Sequence, residues 1–423
     1  MDNILIKSAK IIFPTTPFHG TEQDVLLNKG VITRIAEHIE PEAGDDRLEI
    51  IDAKGQYLVP GFFDMNVNFG EPGLETKEDI LSGTAAALAG GVTGVAVHPN
   101  THPPIHSQSE VALIVNRAAT LPVDVYPVGT ISKRREGGDL AELYDMKLAG
   151  AIAFSDGDRP VQQAGLMGRA LLYSKGFGGL IIASPEDLSV AAGGKMNEGT
   201  MSTYLGMKGN PNLAEALMVA RDLYLAEYND APIHFTTISA AESVNLIRNA
   251  KANGIKVTCD VAAHHLVMTD ELIAGFDSNY KVSPPLRTQA DVAALREGLE
   301  DGTIDAIVSQ HTPHEIEYKN VEYQIASEGI IGLQTLLPLA LEAGLSIDQL
   351  VEKLAVGPRR VLGLPLPEFS EHSSANFVLL DLEKKWRFDT STNRSKSNNS
   401  PMMGKELKGK VTLVVNQHQM IKI

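Results

Sequence analysis

A single cysteine, Cys259, stands in 423 residues. An internal disulfide needs two, and cysteine-rich metal motifs need more, so both are excluded. Long apolar runs are missing as well: none approaches the roughly 18–20 residues that span a bilayer. The opening stretch MDNILIKSAKIIFP lacks the basic start, extended apolar segment and small-residue cleavage site of a secretory signal. These absences lead us to expect a cytoplasmic protein with no membrane partner. Positive charge is also scarce, with 37 Lys and Arg against 53 Asp and Glu and a formal net charge of −16. Such a surface repels nucleic-acid phosphates and anionic lipid, so nucleic acid is not an expected partner. A Gly-rich phosphate loop after the first buried strand, which an open doubly wound nucleotide-binding sheet calls for, is absent too.

What is present is a globular composition, 43% hydrophobic and 21% charged with 37 glycines. Short apolar runs alternate with amphipathic segments: 57–69, 91–100, 123–132, 149–156, 178–186, 231–239, 255–264 and 304–314. Most are rich in Val and Ile and apolar on both alternating faces, the pattern of parallel strands buried on two sides. Helical segments lie between them, for example NLAEALMVARDLYLAEY and AAESVNLIRNAKANG, with apolar positions at three- and four-residue spacing. Eight strand–helix units predict a (β/α)8 TIM-type barrel over residues 57–364. Residues 1–56 and 365–423 read as short strands and turns, and are expected to pair into one small composite β-sandwich beside the barrel.

Chemistry in such barrels sits where strand C-termini meet the following loops. Strand 1 ends with Asp64, Asn66 and Asn68 on one face by alternation. The later strands end at His98 and Asn100, at Asp156, at Ser184, at Thr236 and Thr237, at His264 and His265, and at Gln310, His311 and His314. A hydrolytic zinc site takes three or more His or carboxylate ligands with an open position for water. These strand ends offer mostly amides and hydroxyls instead. The spacing of His98, His102 and His106 imitates ligands on a helix, but Pro99, Pro103 and Pro104 forbid one, and the segment is read as a loop.

These motifs resemble the dihydroorotase branch of the amidohydrolase superfamily over nearly the whole chain. The likeness rests on Pro60-Gly61-Phe62-Phe63-Asp64, Glu71-Pro72-Gly73, Lys77-Glu78-Asp79, Pro99-Asn100-Thr101 and Ala153-Phe154-Ser155-Asp156. It continues through Met196-Asn197-Glu198-Gly199, His264-His265-Leu266, Pro284-Pro285-Leu286-Arg287 and Arg394-Ser395-Lys396-Ser397. Hydantoinases share the barrel, but Glu-Pro-Gly just after strand 1 favours dihydroorotase.

The resemblance implies a zinc centre that closes N-carbamoyl-aspartate to dihydroorotate and reverses the reaction, and here the chain departs from its family. The strand 1 His-x-His pair falls at Asn66 and Asn68, and the arginine that holds the substrate carboxylate falls at Gly70. The metal histidines of strands 5 and 6 fall at Ser184 and Thr237. The strand 8 aspartate, ligand and general base, falls at Gln310, and a substrate-binding asparagine at Ser283. Asp156, which matches the bridging carboxylate, is kept. Asn100, His264 and His314 match substrate-contacting positions and are candidate ligand-binding residues.

The expectation is therefore a vestigial pocket at Asn66, Asn68, Asp156, Ser184, Thr237 and Gln310, with no catalytic residue, no bound metal and no cofactor. Such inactive members resemble partners of aspartate transcarbamoylase, which implies a scaffold role in pyrimidine biosynthesis and a homo-oligomer. Two alternatives stay open. One is an active cyclic amidohydrolase with a metal site relocated to His98, Asp156, His264, His311 and His314. The other is a sensor that binds a small metabolite.

Overall fold

A computed structural model describes residues 3–41 and 48–423; residues 1–2 and 42–47, within the predicted N-terminal part of the sandwich, lie outside it. The barrel strands are β1 (Phe62–Val67), β2 (Val92–Val97), β3 (Asp124–Gly129), β4 (Ala153–Phe154), β5 (Ile181–Ala183), β6 (Ile233–Phe235), β7 (Val257–Ala262) and β8 (Ala306–Val308). Each pairs in parallel with the next. A parallel bridge between Val67 and His311 joins the segment just after the last strand to the first, and the Asn68 N–H donates to the His311 carbonyl at 2.8 Å. The predicted (β/α)8 barrel is the fold.

Alternation explains why the strands are apolar on both faces. Phe63, Met65, Ala96, Val128, Ile182, Ala262, Ala306 and Val308 share one buried cluster in the barrel. Phe62, Val67, Val95, Val97, Phe154, Ile181 and Phe235 belong to a separate cluster that includes the helices. Helices such as Asn212–Asn229 and Ala241–Ala252 occupy the segments where apolar spacing predicted them.

The run 57–69, read above as one barrel strand, divides at Gly61. Tyr57–Pro60 pairs antiparallel with Phe377–Leu380 and, through Tyr57 and Leu58, parallel with Lys10 and Ile11. It therefore belongs to the terminal sheet, and the barrel begins at Phe62 rather than Tyr57. Only a glycine fits this crowded crossing: a Cβ at Gly61 would lie 2.2 Å from Thr93 Oγ1 and 2.4 Å from Asn376 Oδ1. The buried Arg359 guanidinium donates to the Gly61 carbonyl at 2.7 Å, tying the crossing point to the barrel. Strands from both termini join in that single eight-stranded sheet over a core of Ile6, Ile11, Val25, Leu27, Phe377, Leu379 and Val415.

Candidate functional site

The mouth of the barrel holds a cavity of about 340 Å³. Asn66, Asn68, Asn100, Ser184, Thr237 and Gln310 line it together, so the topology gathers residues spread over almost 250 positions of sequence. Their side chains bind one another and the surrounding backbone. Asn66 Nδ2 donates to Thr236 Oγ1 at 3.0 Å, and Thr236 Oγ1 donates to Asp260 Oδ2 at 2.9 Å. Asn68 Nδ2 donates to Thr312 Oγ1 at 2.9 Å while its carbonyl accepts from Asn100 Nδ2 at 2.6 Å. Gln310 Nε2 donates to Thr237 Oγ1 at 3.2 Å and to the Ser283 carbonyl at 2.7 Å. Ser184 Oγ donates to the Gly157 carbonyl at 2.7 Å.

Asp156 of the expected pocket and the candidate ligand-binding residues His264 and His314 do not line this cavity. Asp156 is buried, and its carboxylate is spent on the loop after β3: Oδ1 accepts from the N–H groups of Ile131 and Ser132, both at 2.9 Å, and Oδ2 accepts from Ser132 Oγ. Desolvation raises its pKa above the usual carboxylate value, against those hydrogen bonds. His264 is buried against His265, with ring centroids 4.5 Å apart, and desolvation holds it well below the ordinary histidine value. His314 faces a separate surface cleft, where Nε2 meets the Glu328 carbonyl at 2.9 Å and Nδ1 lies 3.4 Å from Lys77 Nζ.

The residues considered for a relocated metal do not converge either. His311 bonds Glu78 Oε2 through Nε2 at 3.3 Å and accepts the Gly332 N–H on Nδ1 at 3.2 Å, both away from the cavity. Among the described residues no three His, Cys, Asp or Glu side chains come together in a way that could hold a metal ion. The amides and hydroxyls at the strand ends do not fit a zinc centre built from His and carboxylate.

Asp260 and Glu215 escaped sequence reasoning, and Asp64 was read only as an inward-facing residue. Asp260 on β7 is fully buried and is the hub of the inner network. It accepts from Thr236 Oγ1 and from the Thr237 N–H at 2.7 Å, and its Oδ2 lies 3.0 Å from His234 Nε2. Asp64, buried at the start of the same wall, accepts from the N–H groups of Asn66 and Ser309, both at 3.0 Å; desolvation pushes its pKa up to about 7. Arg287 and Glu215, both buried, also line the cavity. The only sequence signal for Arg287 was its place in the Pro284-Pro285-Leu286-Arg287 motif; Asp260 carried none.

Two further motifs meet outside the cavity. Glu78 of Lys77-Glu78-Asp79 accepts from Ser395 Oγ and from the Lys396 N–H, and Lys396 Nζ pairs with Asp79. Lys396 therefore fixes the C-terminal loop onto the loop after β1.

Compared with solved structures, the chain adopts the barrel of the cyclic amidohydrolases. It resembles the L-hydantoinase (dihydropyrimidinase) from Arthrobacter aurescens with a TM-score of 0.85 and 25% identity, covering 100% of this chain and 96% of that one. A D-hydantoinase at 20% identity and a TM-score of 0.83 supports the same fold. A family model described as dihydro-orotase-like matches residues 55–243. A dihydroorotase of Acetivibrio thermocellus is 44% identical over 414 residues, 96% of each chain. That of Syntrophus aciditrophicus is 44% identical over 423 residues, 99% of each. The chain belongs to the dihydroorotase family. Among the described residues no helix is long and apolar enough to cross a membrane.

Proposed function

We propose that this chain is a dihydroorotase-family protein of pyrimidine biosynthesis that has lost its metal centre and works in the cytoplasm without turnover, as an oligomeric scaffold or partner subunit of aspartate transcarbamoylase. One observation carries the reading. At the positions that the family resemblance assigns to metal binding and proton transfer stand Asn66, Asn68, Ser184, Thr237 and Gln310, whose side chains are engaged in hydrogen bonds with neighbouring side chains and the backbone. The retained Asp156 is committed to the 131–132 backbone.

The chemical consequence is direct. Water without a metal keeps its very high ordinary pKa instead of being lowered toward neutrality. The Gln310 amide does not take up a proton at neutral pH, and Gly70 offers no cation to a substrate carboxylate. A barrel whose packing and satellite sheet are intact, with its reactive groups replaced, retains its shape as its useful property.

The test is dihydroorotate turnover, with metal quantified on the same protein after incubation with zinc. No stoichiometric metal and no turnover is the expected result. Stoichiometric zinc with turnover would overturn it. The partner claim is tested separately by size-exclusion chromatography of the protein mixed with aspartate transcarbamoylase at micromolar concentration. Co-elution is expected, and separate elution counts against that role.

A further inference from the structure

The mouth cavity contains charge and unused hydrogen-bonding capacity of a particular kind. Four carboxylates line it, Asp158, Glu186, Glu215 and Glu328, against two cations, Lys195 and Arg287. Both cations are engaged with the protein. Arg287 donates to Ser239 Oγ at 3.0 Å, to Asn197 Oδ1 at 3.2 Å and to the Asn210 carbonyl at 2.6 Å, and its remaining nitrogen lies 3.9 Å from Glu215. Lys195 pairs with Glu328 at 3.2 Å, and Asp158 pairs with Arg135. Glu186 is the exception. Its carboxylate accepts one hydrogen bond, from Asn210 Nδ2 at 2.6 Å, and has no ion-pair partner among the described residues.

Unused acceptors accompany it. Asn210 Oδ1 and His98 Nε2 are buried without a hydrogen-bond partner, on side chains that line the cavity and are at least nine-tenths buried. Desolvation holds the His98 pKa near 4, so the ring with its unpartnered Nε2 is uncharged at neutral pH. Asn66 Oδ1 and Gln310 Oε1 accept no hydrogen bond among the described residues either. A buried acceptor left unmatched is costly, and a ligand that donates to it recovers that cost.

We propose that this cavity is a binding site for a compact N–H-rich organic cation of the guanidinium or ammonium class, held by Glu186 and by the acceptors His98, Asn66, Asn210 and Gln310. The inference rests on the metal-free reading of the mouth and reverses the charge preference of the family's substrate. A carboxylate would meet no free cation here and would face Glu186. A guanidinium group supplies five donors and a positive charge to the same acceptors.

Isothermal titration of the full chain with three probes of similar size tests this: methylguanidinium chloride, N-methylurea and sodium acetate. Methylguanidinium is expected to bind, N-methylurea more weakly, and acetate not at all. Glu186→Gln keeps the shape and an acceptor for Asn210 while removing the charge, and is expected to weaken methylguanidinium binding by about tenfold or more. His98→Phe is expected to weaken it as well, and if that variant does not fold Glu186→Gln decides alone. Acetate binding as tightly as methylguanidinium, an unchanged affinity in Glu186→Gln, or no binding of any probe would each overturn the proposal. Metal content measured on the same sample separates the failures: stoichiometric zinc overturns the metal-free reading, whereas metal-free protein that ignores methylguanidinium overturns only this site.

Discussion

Gly70 packs so closely on Leu74 that a Cβ at Gly70 would lie 2.2 Å from the Leu74 carbonyl oxygen. The two are joined by a short turn in which the Leu74 N–H donates to the Gly70 carbonyl at 2.7 Å, and the same Cβ would also lie 2.9 Å from the Glu78 carbonyl. The obstacle is backbone rather than a movable side-chain tip. The family resemblance implies an arginine at Gly70, and the backbone here leaves no room for such a side chain.

Gly70→Arg is accordingly expected to destabilise the protein, by about 2 kcal/mol or more, because the 70–78 loop must move to admit any side chain. Urea unfolding measures the loss, and titration with dihydroorotate is expected to show no gain of binding. A variant as stable as the parent that binds dihydroorotate would show that the loop opens freely.

Asp156 is expected to act as a structural residue. Asp156→Asn removes a charged acceptor from two backbone N–H groups and the Ser132 hydroxyl, and it turns an amide donor toward one of them. A loss of about 2–3 kcal/mol in chemical denaturation follows from the unmatched buried groups. An unchanged unfolding midpoint would count against this placement.

The inner network predicts a comparable effect at Asp260. Asp260→Ala leaves Thr236 Oγ1, the Thr237 N–H and His234 without their shared acceptor, all of them buried. A loss of about 3 kcal/mol or more is expected from several unmatched donors at once. Asn66→Ala, which removes one neutral bond to Thr236, is expected to cost about 1 kcal/mol. Equal costs for the two variants would show that Asp260 is not the hub.

Acid sensitivity follows from the buried histidines. Desolvation holds His98, His265 and His314 near 4, against an ordinary value of 6.5. Between those values the unfolded chain binds more protons than the folded one, so stability is present above pH 6.5 and falls as pH drops toward 4. Each group contributes a slope of about 1.4 kcal/mol per pH unit in that window at most. Asp64, raised to about 7 from 3.8 by desolvation, acts oppositely, since the folded chain keeps its proton longer and stability falls as pH rises from 4 to 7. His265→Phe is expected to flatten the acid limb of a stability–pH curve, and Asp64→Asn the limb that declines toward neutrality. Curves that keep their slopes in both variants would remove these groups as the cause.

The barrel was legible in the sequence because two-sided burial writes Val- and Ile-rich runs at regular intervals, and a helix must cross back between parallel strands. The strand-end residues of the cavity were legible too: alternation placed Asn66 and Asn68 on the inward face, and Ser184, Thr237 and Gln310 stood at the ends of later strands. The sequence by itself therefore determined the fold class and the chemical character of the cavity's inner wall. Only the tertiary structure decided which groups share that wall. It turned Asp156 onto the 131–132 loop and seated His264 against His265. It ended the terminal sheet at Gly61 and placed Asp260 at the centre of the hydrogen bonds. Strand patterns report which residues are buried, but hydrogen-bond partners across the barrel are set by register and by loops that meet over separations of 24 to more than 200 residues. The Glu186 carboxylate and the His98 nitrogen, without an ion-pair or hydrogen-bond partner respectively among the described residues, emerge at the same level, because a missing partner is defined only when every neighbour is in place.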